Sequence, residues 1–297
     1  LYFLENLLVE RWYIMTFTGK TKNLGVIGYP IAHSFSPAMH NAALSAAELD
    51  YAYIAMPVAQ EELENAVKGI KALNFRGINV TIPHKQAIME YLDEINEDAK
   101  IIGAVNTVVN DNGRLTGYNT DVIGFIDALK NAGFEPAGKN AVMLGAGGAA
   151  RAVVWGLIKE NIKTLSIGVR NVAKVQPLVE YFKDYINIQL FDWKDPAFRT
   201  ALKETDLLIN TTPLGMTPNV DAMPPVAWDC VSSDTFVYDI IYTPAETLFL
   251  KTAKEKGCKI LNGMGMLAGQ GAEAFRLWTG VNPDLKIMED ELGKLVL

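Results

Sequence analysis

The stretch AVMLGAGGAARAVVWGLIKE, Ala141–Glu160, decides the fold. It opens with four apolar residues of strand character, turns through glycines, and continues with apolar side chains at helical spacing. Gly145, Gly147 and Ala150 fit the pattern G-x-G-x-x-G/A at that junction. The first glycine permits a tight turn, and the second lets a pyrophosphate approach the backbone. The small third residue lets helix and strand pack closely, while the N–H groups of the helix N-terminus face the phosphates. Gly145, Ala146, Gly147, Gly148 and Ala149 are therefore candidate dinucleotide contacts. A purely structural turn is the alternative, since a glycine triplet alone is weak.

Outward from this unit the alternation continues. Lys163–Val169, Ile186–Phe191, Asp206–Asn210, Thr235–Ile240 and Lys259–Leu261 read as strands, and Val172–Phe182 as a helix. This is the pattern of a doubly wound parallel sheet. On the N-terminal side, Leu24–Gly28, Tyr51–Pro57 and Phe75–Ile82 read as strands. Ser36–Glu48, with Ser36 as N-cap and Pro37 at the first helical position, and Glu61–Leu73 read as helices. Ala104–Asn110 begins a hairpin that turns at Asp111-Asn112-Gly113, and Asp121–Ala132 is helical. The segment GFEPAGK, Gly133–Lys139, is the best boundary by composition, and two helices, Met264–Thr279 and Asp284–Lys294, close the chain. The expected fold class is α/β in two domains: an N-terminal α/β substrate domain and a Rossmann-type doubly wound dinucleotide-binding domain.

Composition narrows the function classes. The 297 residues suit two domains of ordinary size. With 27 basic and 34 acidic side chains the net charge is −7, which argues against nucleic acid as a partner. The most apolar run, Ala141–Ile158, is broken by Arg151 and rich in glycine, so no membrane span is expected. Cys230 and Cys258 lack metal-ligand spacing and make no disulfide framework. A cytoplasmic, metal-free α/β protein, monomeric or homodimeric, is the expectation. Residues 1–14 (LYFLENLLVERWYI) precede Met15, which reads as a natural start, and are taken as an added or upstream extension without function.

The end of the second Rossmann strand indicates which dinucleotide. An NAD site places an acid there for the ribose 2′-OH. This chain has Arg170 instead, followed by Asn171 and by Lys174 on the same side of the next helix. A guanidinium binds a 2′-phosphate that a carboxylate would repel, so NADP is favoured over NAD. Ordinary surface charges are the bland alternative.

Hydride transfer to or from an alcohol needs a group that handles the hydroxyl proton. Lys85 stands just past the strand FRGINVTI, where α/β sheets bind ligands, although a solvated lysine at a helix start would look the same. His40, inside the first helix, reads as packed rather than reactive. Asn79 and Thr81 alternate on that strand and share a face. Asn106 lies in the apolar run GAVNTVV, where an unpaired amide is costly. Asp121 follows Asn119-Thr120 at a helix start and is placed to hold Lys85 charged and oriented. Ser34 and Ser36 flank Phe35 at another helix start, suited to gripping a carboxylate.

Together the segments SFSP (Ser34–Pro37), NVTIPHK (Asn79–Lys85), GAVNT (Gly103–Thr107), GYNTD (Gly117–Asp121), GAGGAAR (Gly145–Arg151), NTTPLGM (Asn210–Met216), YDIIY (Tyr238–Tyr242) and NGMGMLAGQGAEAF (Asn262–Phe275) resemble, in order, the motifs of shikimate dehydrogenases. The resemblance covers Met15 to the C-terminus. It implies an NADP-dependent oxidoreductase of the shikimate pathway, which leads to chorismate and the aromatic amino acids, interconverting 3-dehydroshikimate and shikimate. It implies that Lys85 and Asp121 are the catalytic pair and that Ser34, Ser36 and Tyr242 lie at the carboxylate end. Asn79, Thr81, Asn106 and Gln270 would bond the ring and its hydroxyls. Gly145–Ala149 would form the pyrophosphate loop and Arg170, Asn171 and Lys174 the adenosine phosphate pocket. Ile240 and Gly263 would lie near the nicotinamide. It also implies a discontinuous substrate domain, 15–122 with 262–297, around a nucleotide domain, 123–261. Val122, Asn171 and Lys174 depart from residues common in the family, where glycine, threonine and arginine are usual. A quinate or dual quinate/shikimate dehydrogenase using NAD or NADP is the near alternative, and a non-catalytic dinucleotide-binding regulator the remote one.

Overall fold

The computed structural model describes residues 17–296, so the expectation for residues 1–14 lies outside the described residues. The first half comprises β1 (Lys22–Gly28), α1 (Ser36–Ala46), β2 (Tyr51–Pro57), α2 (Leu63–Ala72), β3 (Gly77–Val80), β4 (Glu94–Ile95), α3 (Glu97–Ile102), β5 (Thr107–Asp111), β6 (Arg114–Tyr118) and α4 (Asp121–Asn131). Then come β7 (Asn140–Leu144), α5 (Ala150–Lys159), β8 (Thr164–Val169), α6 (Val172–Phe182), β9 (Ile188–Asp192), α7 (Pro196–Lys203), β10 (Leu207–Asn210), β11 (Phe236–Asp239), α8 (Leu248–Glu255) and β12 (Lys259–Leu261). Two helices, α9 (Met264–Thr279) and α10 (Leu285–Leu295), end the chain.

The strands form two six-stranded sheets. In the second, ordered β12-β11-β10-β7-β8-β9, every pairing is parallel. Counted from β7 this is the order 3-2-1-4-5-6, and the reversal between β7 and β10 opens a crevice at their carboxyl ends. The first sheet, β2-β1-β3-β5-β6-β4, is mixed, because β5 runs antiparallel to β3 and β6. The β5–β6 hairpin turns at Asn112 and Gly113, both with positive φ (52° and 91°), as a two-residue turn of the Asn-Gly type requires.

The last two helices return to the first sheet. Phe275 and Trp278 of α9 and Met288 and Leu292 of α10 share one core with Leu24, Val26, Met39 and Tyr53. The fully buried Trp278 indole donates to the Val108 carbonyl at 2.9 Å. Helix α9 also crosses α4 at backbone contact. A Cβ on Gly124 would lie 2.5 Å from the Met266 carbonyl oxygen and 2.6 Å from the Gln270 nitrogen, so only glycine permits this approach. That crossing brings Gln270 beside the helix headed by Asp121. Val122 is buried in the core with Phe125 and Ile126.

Several boundaries differ from expectation for local reasons. Strand β3 is shorter than Phe75–Ile82, since Pro83 has no N–H for the ladder and the chain turns with His84 N–H donating to the Thr81 carbonyl at 2.9 Å. Ser36 is not the N-cap of α1 but its first helical residue, and Phe35 holds the cap position. The Ser34 hydroxyl accepts the Ser36 N–H at 3.3 Å instead. A short 3-10 turn, Gln60–Glu62, replaces the first turn expected of α2. Elements α3, α7, α8 and β4 were not expected; with eight residues or fewer, they are too short for a period to show. No helix among the described residues is long and apolar enough to cross a membrane.

Candidate active site

The loop after β3 carries Lys85 and is pinned from both sides. The buried His84 donates through Nε2 to the Val58 carbonyl at 2.8 Å, and the Lys85 carbonyl accepts from Val105 N–H at 2.8 Å. Lys85 Nζ then donates to Asp121 Oδ2 at 2.7 Å. Asp121 is the first residue of α4, where the N-terminal end of a helix favours a negative charge, and Asn119 Oδ1 accepts its N–H at 3.1 Å. Its second oxygen accepts from Asn106 Nδ2 at 2.9 Å. The pair is mostly buried, with side chains 24% and 12% exposed.

A cavity of about 360 Å³ opens over this pair. Every residue expected to hold the substrate or move its proton lines it: Ser34 and Ser36, Asn79 and Thr81, Lys85, Asn106 and Asp121, with Tyr242 and Gln270 opposite. Ile240, Gly263 and Ala149 line it too, so the nucleotide unit forms part of its wall. Tyr242 reaches across from the loop after β11 and packs edge-on against Phe35, with centroids 5.9 Å apart. Burial raises its hydroxyl above the ordinary tyrosine range.

Asn79 and Asn106 are committed more heavily to the protein than expected. Asn79 donates to Thr107 Oγ1 and the Asn106 carbonyl, at 3.0 and 3.2 Å, and accepts from the Tyr53 hydroxyl at 2.7 Å. Asn106 Oδ1 accepts from Thr120 N–H at 2.8 Å and from the hydroxyls of Thr107 and Thr120. Beneath them His40 stacks on Tyr53 at 4.3 Å and is wholly buried. Burial lowers it to about 3, and neither ring nitrogen has a partner among the described residues, so it is a packed neutral ring.

A second cavity, about 410 Å³, flanks the other side of the glycine loop. Gly145, Ala146 and Gly147 line it with Arg170, Asn171 and Lys174. Gly145 has φ of +88°, and a Cβ there would collide with the Thr212 side chain. A Cβ on Gly147 would come within 3.2 Å of the Thr211 carbonyl oxygen, filling the cradle. Backbone amides over a turn, with cations at the far end, fit a dinucleotide carrying an extra phosphate. Asn171 differs from expectation in one respect: its Oδ1 caps α6 by accepting Lys174 N–H at 3.0 Å. Gly148 lines neither cavity, and space is open around its Cα.

Sequence reasoning gave no role to Thr211, Thr212 and Leu214 of this cavity, or to His33, Met266 and Leu267 of the other. The motif NTTPLGM was visible, and its place after β10, at the reversal of strand order, was the available signal. A buried network holds that loop. Asp239 accepts from Asn210 Nδ2 (3.0 Å), Ile241 N–H (3.1 Å) and Thr247 Oγ1 (2.6 Å), while Asn210 Oδ1 accepts from Thr212 N–H (2.9 Å). Burial outweighs these donors and raises the Asp239 carboxyl to about 6.

Known proteins resemble this chain along most of its length. Residues 26–108 match the shikimate dehydrogenase substrate binding domain, and residues 263–292 the shikimate 5'-dehydrogenase C-terminal domain. The shikimate dehydrogenase (NADP(+)) of Carboxydothermus hydrogenoformans is 46% identical over 94% of this chain and 99% of its own. The chain belongs to the shikimate dehydrogenase family. Among solved members, a shikimate dehydrogenase in complex with NADP+ superposes with a TM-score of 0.89 at 43% identity, covering 95% of this chain and 98% of that one. The Thermus thermophilus shikimate 5-dehydrogenase, in complex with NADP(H) and shikimate, gives 0.83 at 38% identity over 92% and 99%. In this chain the two cavities lie on either side of the glycine loop, with Ala149 lining one and Gly145, Ala146 and Gly147 the other.

Proposed function

We propose that this chain catalyses the NADP-dependent reversible reduction of 3-dehydroshikimate to shikimate, as a monomer or homodimer of the cytoplasm. The observation that carries the reading is the Lys85–Asp121 pair, 2.7 Å apart, within a cavity walled on one side by the loops of the dinucleotide sheet. Residues 15–122 with 262–297 act as the substrate domain, and 123–261 as the NADP domain.

Ser34 and Ser36, with Tyr242 facing them, take the carboxylate of the ring acid. Asp121 keeps Lys85 aimed at the hydroxyl that is formed or consumed, while Asn79, Thr81, Asn106 and Gln270 orient the ring. Only one N–H of Asn106 is free for this, since the other serves Asp121. Gly145–Ala149 cradle the pyrophosphate, Arg170 and Lys174 hold the 2′-phosphate beside Asn171, and Ile240 and Gly263 face the nicotinamide. When bound, NADPH supplies a hydride to the carbonyl carbon, and NADP+ removes one in the reverse direction. Lys85 donates the proton that the carbonyl oxygen needs in reduction and takes it back in oxidation. The Lys85 ammonium also stabilises the charge growing on that oxygen before the proton moves.

The test is a set of initial rates for NADP+ and NAD+ reduction, each with shikimate and with quinate. Turnover strongly favouring shikimate with NADP+ is the expected result. Comparable quinate turnover with NAD+ moves the activity to the quinate branch, and silence in all four assays with NADP+ still bound calorimetrically marks a regulator.

A further inference from the structure

The Lys85–Asp121 pair is the end of a longer chain. Asp121 Oδ1 accepts from Asn106 Nδ2 at 2.9 Å, Asn106 Oδ1 from the Thr107 hydroxyl at 3.0 Å, and Thr107 Oγ1 from Asn79 Nδ2 at 3.0 Å. Asn79 Oδ1 accepts from the Tyr53 hydroxyl at 2.7 Å. Tyr53, Asn79, Asn106 and Thr107 are all buried, Thr107 completely.

The backbone sets the direction of both amides in this chain. Thr120 N–H can only donate, and it meets Asn106 Oδ1 at 2.8 Å, so the Asn106 amide must turn its NH2 toward Asp121. The Asn106 carbonyl can only accept, and it meets Asn79 Nδ2 at 3.2 Å, which fixes the second amide. Thr107 Oγ1 then lies between the Asn79 donor and two acceptors, Asn106 Oδ1 at 3.0 Å and Thr120 Oγ1 at 3.3 Å, and the shorter contact takes its single proton to Asn106 and leaves its lone pair to Asn79. Tyr53 has an acceptor in front of it and donates. Every proton in the series therefore points toward the Asp121 carboxylate, and buried hydrogen bonds aligned this way polarise one another.

We infer that Tyr53 and Thr107 are positioning residues of the catalytic pair: their hydroxyls run a one-way hydrogen-bond chain into Asp121 that holds it, and through it Lys85, in the reacting geometry. This rests on the functional reading above and adds residues that touch neither the ring nor the cofactor. Thr107 is the keystone, because a side chain with no hydroxyl leaves the two amides without their link. Tyr53 is the outer anchor, and its loss frees one lone pair of Asn79.

The experiment compares Thr107→Val, Thr107→Ser and Tyr53→Phe with the unaltered protein. Each is followed by steady-state kinetics with shikimate and NADP+, thermal unfolding, and NMR of the Asn79 and Asn106 side-chain amides. Thr107→Val is expected to lower kcat about tenfold with both KM values within about twofold, as loss of a buried hydrogen bond felt only at the reacting centre requires. Thr107→Ser restores the rate, and Tyr53→Phe lowers kcat about threefold in the same pattern. In the NMR arm, Thr107→Val shifts both amides and speeds their exchange. An unchanged kcat in a folded Thr107→Val protein overturns the inference, as does a change carried by KM alone or equal losses in Thr107→Val and Thr107→Ser. If Thr107→Val does not fold, Tyr53→Phe decides by the same criteria. Should the unaltered protein prove inactive on shikimate, the functional reading fails, and the amide spectra then decide on the chain alone: unmoved amides in Thr107→Val overturn it.

Discussion

In the cavity beside β3 the groups around the Lys85–Asp121 pair are largely buried and bonded to one another, whereas in the cavity beside β8 the cations are exposed side chains around a bare backbone. Asn79, Asn106 and Asp121 are each less than a tenth exposed, and their partners are protein atoms. Arg170, Asn171 and Lys174 stand in solvent. The difference follows from the task. A proton must move at one atom with one alignment, which demands groups fixed before the substrate arrives. A phosphate is a large charge that tolerates several arrangements of cations, and the amides of a turn already supply the shape.

This contrast sets the sizes of the expected effects. Lys85→Ala removes the proton carrier from the rigid site and is expected to lower kcat on the order of 10²–10⁴-fold in a protein that still folds. A rate within a few-fold of the parent would place the acid–base role elsewhere. Arg170→Ala removes one charge-assisted contact from the open site, so the KM for NADP+ should rise about 10–100-fold while that for NAD+ hardly moves. Equal losses with both cofactors would show that Arg170 does not read the 2′-phosphate.

The smallest effect separates the two regions by acid. His40 is held neutral by burial at about 3, against 6.5 in the unfolded chain. The unfolded state therefore binds its proton first, and stability present above pH 6.5 is lost as pH falls, on the order of 1 kcal/mol per pH unit. Asp239 acts in the opposite sense. Its carboxyl is raised to about 6 from 3.8, so the folded state holds that proton more tightly, and its contribution is greatest at low pH and declines as pH rises from about 4 to 6. Melting temperatures from pH 7 to 4 should fall less steeply in His40→Phe than in the parent. Parallel curves would show that His40 does not report on acid in this core.

Much of this was legible before any coordinates, for reasons that differ by region. The glycine loop announces itself because Gly145 must adopt a positive φ and Gly147 must leave the cradle empty, and no other residue does both. Lys85 and Asp121, 36 positions apart, were paired through the motifs NVTIPHK and GYNTD, since a lysine past a strand end by itself looks the same as a solvated one. Tyr53 and Thr107 were not legible as functional groups. A hydroxyl within an apolar strand reads as core, and only the fold shows that the Asn79 amide of β3 meets both of them. The antiparallel β5–β6 hairpin was legible from Asp111-Asn112-Gly113, whereas the antiparallel pairing of β5 with β3 was not, since the apolar pattern of β5 does not say which strand lies on its other side. Asn171 was read for its side chain toward the phosphate, and its part in capping α6 appears only with the helix boundary in place.

The return of α9 and α10 to the first sheet has a consequence for how the chain is made. Leu24, Val26 and Met39 precede the dinucleotide sheet in the chain, yet the side chains that complete their core, Phe275, Trp278, Met288 and Leu292, follow it. The dinucleotide sheet, β7 to β12, is continuous in the chain and complete by Leu261. Synthesis therefore delivers the parts out of functional order, because the core begun before the dinucleotide sheet is completed only by residues that follow it.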